Sequence, residues 1–291
     1  MTHARGVALV LVLWLLVLLT ALAGTFAVIA RTEYRQGVYA RGSVQAHYAA
    51  QAAIDLAVAR MLDPDPTARF VADGRINPIE FDGARIEVSL IDEASRFDLN
   101  VVDPVALSAL FKVLEIPEER AVALADAVVD WRDNDDLLQP NGAEDPQYAD
   151  AGLPYGAKDN PFDNVEELQQ VLGMDYETWL RVAPFLTVYT GAAPRPDLAS
   201  AEVLQALGME PAAVTEFLLQ RAQWTPEQTD PPTLPGGTFI TALGSGMYSI
   251  SARATVADGS RVRLTETVRV GSVGQSGRAY LLLAMREGEI N

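Results

Sequence analysis

The stretch that decides the fold is VALVLVLWLLVLLTALAGTFAVIA, residues 7–30, which follows the short head MTHARG. It contains no charged side chain. As an α-helix it would extend about 36 Å, whereas the hydrocarbon core of a bilayer is about 30 Å thick. A cleaved secretory signal is the alternative, because Ala21-Leu22-Ala23 resembles a signal peptidase site, but the apolar region of such signals is only about 7 to 15 residues long. The stretch therefore predicts a membrane-spanning helix.

Helical periodicity continues beyond the apolar stretch. Apolar residues recur at steps of three and four from Arg31 to Leu62, and the sequence Asp63-Pro64-Asp65-Pro66 then ends the pattern. Gly37 and Gly42 weaken this helix, each by roughly 1 kcal/mol relative to alanine. We predict one long helix with a weak point near Gly37, and two helices joined by a bend are the alternative.

Strands are predicted on both sides of a long helical segment. Residues 84–91 alternate between apolar and polar, as do residues 248–256 and 261–270 around the two-residue hairpin signal Asp258-Gly259. Residues 279–285 offer a further strand. Strands at both ends with helices between them indicate one antiparallel sheet that is interrupted by an inserted domain.

The insert, residues 102–235, contains three helix-turn-helix units. Asp103, Asn164 and Ser200 are placed to cap the first helix of each unit. A tryptophan falls in or just after each second helix, where core packing is the expected role: Trp131, Trp179 and Trp224. Such units resemble DNA-binding hairpins, but their turns are acidic and the chain has a formal charge of −17. We therefore expect no nucleic-acid partner.

The composition also argues against catalysis. The chain has no cysteine, and its two histidines, His3 and His47, lie in the head and in the long helix. A thiol nucleophile, a Ser-His-Asp set and a histidine-rich metal site are therefore not expected in the soluble part. No glycine-rich phosphate loop is present in the sequence. We predict that the protein is not an enzyme.

An acidic loop joins the first two helical units. It reads DWRDNDD at residues 130–136, NGAED at 141–145 and KDNPF at 158–162. Calcium prefers six to eight oxygen ligands, which Asp, Asn and Glu supply, although the spacing is not that of an EF-hand. The density of acidic residues leaves a calcium site and a solvated acidic surface equally open.

The junction of the head with the apolar helix resembles the leader of type IV pilins and pseudopilins. In those proteins a prepilin peptidase cleaves after a glycine and methylates the new amine. The resemblance implies cleavage between Gly6 and Val7. Most of the family has a glutamate at the fifth mature position, where this chain has Leu11. Leu11 is therefore a candidate marker for the tip position in a pilus-like assembly.

The resemblance extends along nearly the whole chain to the type II secretion minor pseudopilin K family, also called general secretion pathway protein K. The motifs that carry it are AAQA at residues 49–52, IDEASRFDLN at 91–100, DWRDND at 130–135, GAED at 142–145 and VEEL at 165–168. One departure is DLASA at residues 197–201, where the family usually has an Asn-x-Asn-Thr-Ala motif.

The resemblance implies an α+β fold, with a pilin-like long N-terminal helix packed on an antiparallel sheet and a large all-helical domain inserted between strands. The expected regions are a leader at 1–6, a transmembrane and stem helix at 7–62, a pilin-like α/β domain at 63–101 plus 236–291, and the insert at 102–235. It also implies bound calcium. The expected ligands are Asp133, Asp135, Glu144 and Asp145, followed by Asp130, Asp136 and Asn160.

The function implied by the resemblance is non-catalytic. Members help to initiate and cap the tip of the type II secretion pseudopilus, through which folded proteins are exported across the outer membrane. Expected partners are two other minor pseudopilins, the major pseudopilin, the prepilin peptidase and the inner membrane, which the chain would cross once with its soluble domain in the periplasm. The alternative is a minor pilin of a related type IV pilus or competence system.

Overall fold

The computed structural model describes residues 4–228, 231–234, 244–271 and 279–288. Residues 1–3 of the predicted leader, and the predicted boundary between insert and sheet at residues 235 and 236, lie outside the described residues. The predicted limits of the four regions remain predictions.

The first element is α1, a continuous helix of 58 residues from Ala4 to Met61. It contains both the apolar stretch and the predicted stem, and at 1.5 Å per residue it is about 87 Å long. It continues through Gly37 without interruption, so this region is one long helix and not two helices joined by a bend. Within the described residues, this is the one helix long and apolar enough to cross a membrane, and its apolar part is exposed.

The sheet contains five strands in the order β1-β2-β5-β6-β7, with every neighbouring pair antiparallel. Its strands are β1 (Asp73–Phe81), β2 (Ala84–Asp92), β5 (Met247–Thr255), β6 (Arg261–Val270) and β7 (Tyr280–Glu287). The chain leaves the sheet after β2 and returns at β5, so the insert lies between two strands that are direct neighbours in space.

The second half of α1 packs on one face of this sheet. Its buried residues are mostly alanines, and they contact apolar side chains that alternate along β2, β5 and β6. Its buried apolar side chains are those of Ala46, Ala49, Ala50, Ala53, Ile54, Ala57 and Val58. Because methyl side chains are short, the helix can approach the sheet closely and bury the apolar face of three strands at once.

Two local features of the five-stranded sheet differ from the sequence predictions. Strand β1 was not predicted, because Pro78 interrupts its alternation, yet the turn Asp82-Gly83 that joins it to β2 is a hairpin signal. The β5–β6 turn has three residues and not two, since Val256 and Ser260 are hydrogen-bonded across it and Gly259 adopts a φ of +87°. This is a type of three-residue turn that ends with a left-handed glycine.

The insert is largely helical and has a separate hydrophobic core. Its elements are α2 (Pro104–Val113), α3 (Glu118–Arg132), α4 (Asp145–Asp150), α5 (Tyr176–Val182), α6 (Ala201–Ala206) and α7 (Pro211–Gln223). The first helix of the predicted second unit is instead a 3₁₀ helix, Val165–Gln170. A short parallel pair, β3 (Phe97–Asp98) and β4 (Leu186–Thr187), was not predicted.

The predicted caps and core tryptophans of the insert are present. The side chains of Asp103, Asn164 and Ser200 accept hydrogen bonds from backbone amides in the first turn that follows each of them. The three tryptophans are buried in the core of the insert. The long helix, antiparallel sheet and helical insert confirm the predicted α+β fold class.

Candidate functional site

Three buried carboxylates mark the point where the chain passes from the sheet into the insert. Asp92 accepts hydrogen bonds from the amides of Ala94 and Ser245, and Asp98 accepts them from the amides of Thr190 and Gly191. Each of these acids therefore fastens two segments that are far apart in sequence.

Glu93 is the central member of this junction. Its carboxylate accepts hydrogen bonds from Ser249 Oγ in β5 at 2.6 Å, from Thr187 Oγ1 in β4, and from Arg96 Nη1 at 2.8 Å. Glu93 is 1% exposed, and a buried charge is tolerated when ion pairing and hydrogen bonds compensate for its lost hydration. The side chain thus connects the sheet directly to the insert.

The segment that follows β3 holds the acidic loop in place. The side-chain amide of Asn100 donates to the carbonyl of Phe162 at 3.0 Å and accepts from its N–H at 2.7 Å. Arg132, at the end of α3, donates to the carbonyls of Leu99 and Val102. Both ends of the acidic loop are therefore fixed to the segment that follows β3.

The predicted calcium ligands divide into buried and exposed groups. Glu144 and Asp130 are buried, at 5% and 0% exposure, and Asp133 is half-buried at the end of α3. The others are exposed: Asp135, Asp136, Asp145 and Asn160. Asp135 accepts from the amide of Leu137 and Asp145 from that of Ala157, so these two carboxylates also shape the loop locally.

Within the part of the chain that the structure describes, three carboxylate oxygens in the loop are buried and have no hydrogen-bond partner. They belong to Asp133, Glu144 and Asp159. Leaving a charged oxygen buried without a partner is costly, so this arrangement calls for a cation or a proton. Asp159 was not among the predicted ligands. Its φ of +53° places its backbone in the left-handed region, which composition could not reveal.

The protonation behaviour of the loop reflects this crowding. Burial, together with the nearby carboxylates of Asp130, Asp133, Asp159 and Asp136, raises the pKa of Glu144 from 4.5 to about 7. Burial likewise raises the pKa of Asp130 to about 6. Both shifts mean that the surroundings disfavour the negative charge.

Two glycines allow the backbone to approach these acids closely. A Cβ atom on Gly142 would overlap the carboxylate of Asp130, and one on Gly156 would overlap the carboxylate of Asp145. The GAED motif therefore needs its glycine for packing against a buried acid. The sequence around residue 142 is constrained by this contact as well as by its charges.

The acidic loop has the chemistry of a hard-cation site but not a completed coordination shell. Among the described residues, no three acidic or histidine side chains converge closely enough to hold one ion. The oxygen-only donor set and the three unpartnered oxygens nevertheless fit calcium, which binds carboxylates in flexible geometry. Small movements of the exposed carboxylates would be needed to complete the shell.

Comparison with known proteins finds a match to the part of the chain that contains the junction carboxylates and the acidic loop. Residues 88–191 match the family model of type II secretion system (T2SS) protein K. The resemblance to this family is confirmed. Both the junction carboxylates and the acidic loop lie inside the matched region of the protein K family.

Two curated relatives carry the same family name. The type II secretion system protein K of Klebsiella pneumoniae is 30% identical over 203 residues, covering 62% of this chain and 62% of the relative. That of Aeromonas hydrophila is 35% identical over 118 residues, covering 39% of this chain and 36% of the relative. The aligned part thus spans about three fifths or less of the length of these protein K relatives.

A solved structure shows the same fold. A chain in the GspK-GspI-GspJ complex from the type 2 secretion system of enterotoxigenic Escherichia coli matches with a TM-score of 0.57 and 19% identity. The match covers 89% of this chain and 99% of that chain. It therefore includes the sheet and the insert together.

The raised pKa of Glu144 predicts how stability depends on pH when no metal is bound. Its folded-state pKa of about 7 lies above the 4.5 of the free side chain, so the folded state binds the proton more tightly than the unfolded chain. The resulting stabilisation of the folded state is complete below pH 4.5 and is lost as the pH rises through about 7. In Glu144→Gln the melting temperature should therefore fall less over this interval than in wild type.

This expectation can be measured by thermal unfolding of the detergent-solubilised chain in the presence of a chelator. Glu210→Gln is the control, since Glu210 is an exposed acid outside the loop. Identical pH profiles for Glu144→Gln and wild type would contradict the expectation.

Proposed function

We propose that this chain is a non-catalytic minor pseudopilin that helps to initiate and cap the tip of a type II secretion pseudopilus, which exports folded proteins across the outer membrane. The observation that carries the proposal is the continuity of α1, which runs from an apolar, exposed half into a half buried against a pilin-like sheet. One rigid element can thus act first as a membrane anchor and later as the stem of an assembled subunit.

The proposed topology is a single pass through the inner membrane with the soluble domain in the periplasm. A prepilin peptidase on the cytoplasmic side would remove the leader after Gly6 and methylate the amine of Val7. The helix that remains after this cleavage keeps the entire apolar stretch, which is long enough to cross a bilayer.

The insert supports a position at the end of the filament. It is joined to the sheet between β2 and β5 and fixed there by the buried junction of Asp92, Glu93 and Asp98. A domain of this size held rigidly on one subunit would obstruct the stacking of another subunit above it. The proposed partners are two other minor pseudopilins in a tip complex, with the major pseudopilin below.

Leu11 is consistent with this position. A carboxylate within the bilayer costs about 2.5 to 3.5 kcal/mol by insertion scales unless it is paired. In a growing pilus the partner of such a carboxylate would be the free amine of the subunit above. The first subunit has no subunit above it and therefore has no such partner. A leucine at this position therefore avoids an unpaired charge at the top of the filament.

Calcium is the proposed cofactor of the insert. Asp133, Glu144 and Asp159 would supply its ligands through their unpartnered buried oxygens. The exposed carboxylates of Asp135 and Asp145 are the proposed further ligands. Calcium would offset the repulsion among these acids and thereby hold the loop to the segment after β3.

Processing provides the first test of the proposal. We expect the mature chain to begin at Val7, because Gly6 presents no side chain to a peptidase at the membrane surface. Mass analysis of the membrane-extracted protein would measure this, and a bulky substitution such as Gly6→Val should abolish cleavage. A chain that begins at Gly24 would lack the anchor and would contradict the proposal.

Calcium binding provides the second test. A ligand that binds only the folded state stabilises it by RT ln(1 + [L]/Kd), which is about 2.7 kcal/mol at 100 times Kd. We expect calcium to raise the melting temperature of the wild-type chain and to have no effect on the double variant Asp133→Ala with Glu144→Ala. The pair Glu210→Ala with Glu216→Ala removes two exposed acids outside the loop and should retain the response. An unchanged melting temperature in calcium and in chelator would show that the loop is a solvated surface.

Placement at the tip can be tested by crosslinking. Because the chain has no cysteine, Tyr176→Cys introduces one thiol on the exposed surface of the insert. We expect crosslinks only to the two other minor pseudopilins in cells that assemble the pseudopilus. Repeated crosslinks between copies of this chain along a filament would contradict a single position at the tip.

A further inference from the structure

The two edge strands of the sheet differ sharply in how well they are protected from pairing with another strand. Strand β1 carries Pro78 at its centre, charged residues at Asp73 and Glu80, and an irregular register between Asp73 and Ile76. Proline lacks the amide donor, and charges and irregularities further discourage pairing. The β1 edge therefore has the features by which proteins block unwanted strand addition.

Strand β7 has neither a proline nor, before Arg286, a charged side chain, and it shares with β1 only an irregular register, which lies opposite Thr267 and Val268 of β6. Six consecutive uncharged residues, YLLLAM at positions 280–285, precede its first charged side chain, Arg286. Leu281, Leu282 and Met285 are 50%, 45% and 55% exposed. Within the described residues, no strand pairs with the outer edge of β7. An exposed, apolar, unpaired edge of this kind is a site for the addition of a strand.

A cavity lies directly beside this edge. It has a volume of about 570 Å³, is open to solvent on part of its surface, and is lined by residues of β6 and β7 on one side and of the insert on the other. Leu180, Trp179 and Met285 contribute apolar walls. The ion pair between Arg286 and Glu166, 2.9 Å long, joins β7 to the insert at the cavity. A cavity of this size can accept a bulky apolar side chain that projects from a strand added to β7.

We propose that β7 is a docking edge for an extended segment of a different polypeptide, one of whose bulky apolar side chains enters the adjacent cavity. The backbone groups on the outer edge of β7 favour an extended partner, because another strand matches a row of alternating donors and acceptors. Only the identity of that polypeptide rests on the proposed function: if this chain is a minor pseudopilin, the partner is another minor pseudopilin.

Charge argues against a second copy of this chain as the occupant. Residues 102–235 contain 24 Asp and Glu side chains against 7 Lys and Arg, so the insert carries the entire formal charge of −17. The insert forms one wall of the cavity beside β7. Pairing two β7 edges would bring two such acidic domains towards each other, which is repulsive. A less acidic partner is therefore favoured.

Cysteine crosslinking tests the proposal on the full-length chain in detergent, together with the two other minor pseudopilins of the same secretion system. The variants are Leu281→Cys and Leu283→Cys in β7, with Ile76→Cys and Phe81→Cys in β1 as matched controls on the opposite edge. We expect the β7 variants, and not the β1 variants, to crosslink to cysteines placed along one strand of a partner. Crosslinks between two β7 strands would identify a second copy as the occupant and overturn the proposal.

A charge substitution provides an independent measurement. Leu282→Lys should weaken formation of the complex at least tenfold, whereas Ile76→Lys, at a 62% exposed position of β1, should leave it unchanged. Unchanged melting temperatures for both variants would exclude misfolding as the cause. If partners bind normally to Leu282→Lys and crosslink only elsewhere, the docking edge is wrong while the tip function stands. If no minor pseudopilin binds the wild-type chain at all, both the docking edge and the proposed function fail.

Discussion

The close packing of the alanine-rich face of α1 on the sheet is the interaction on which the rest of the structure depends. Ala46, Ala50 and Ala57 are completely buried there, in one core cluster with residues of strands from both sides of the insert. A larger side chain at any of these positions would push the helix away from β2, β5 and β6 together. This packing also joins the membrane segment rigidly to the soluble domain, since α1 is continuous.

A second constraint arises because the insert interrupts the sheet between two adjacent strands. The hydrophobic cores of sheet and insert are separate clusters. Polar contacts connect them, including the Glu93 network and a second group in which Arg75 of β1 donates to the carbonyls of Trp224 and Arg221 at 2.9 and 2.8 Å. Polar contacts are directional, so they favour one orientation of the insert over others of similar apolar burial.

The acidic loop follows from that orientation. Asn100 and Arg132 fix the ends of the loop to the segment after β3, and this brings carboxylates from distant parts of the sequence towards Glu144. The raised pKa values of Asp130 and Glu144 show that this arrangement destabilises the charged forms of these carboxylates. A bound cation would remove this destabilisation, which gives a physical reason for an acidic loop to be retained within an otherwise well-packed domain.

The sequence alone determined those features that depend on local patterns: the apolar helix, strands β2, β5 and β6, and the caps at Asp103, Asn164 and Ser200. Periodicity and capping chemistry act over a few residues, so they can be read directly. Strand β1 was missed because Pro78 breaks its pattern, although pairing with β2 stabilises it. Only the tertiary structure decided that Asp159 lies close enough to Glu144 to affect its pKa, that Glu93 links sheet and insert, and that β7 lies beside a cavity. These contacts connect residues that are far apart in the chain, and their positions depend on how the two cores pack and not on any local preference.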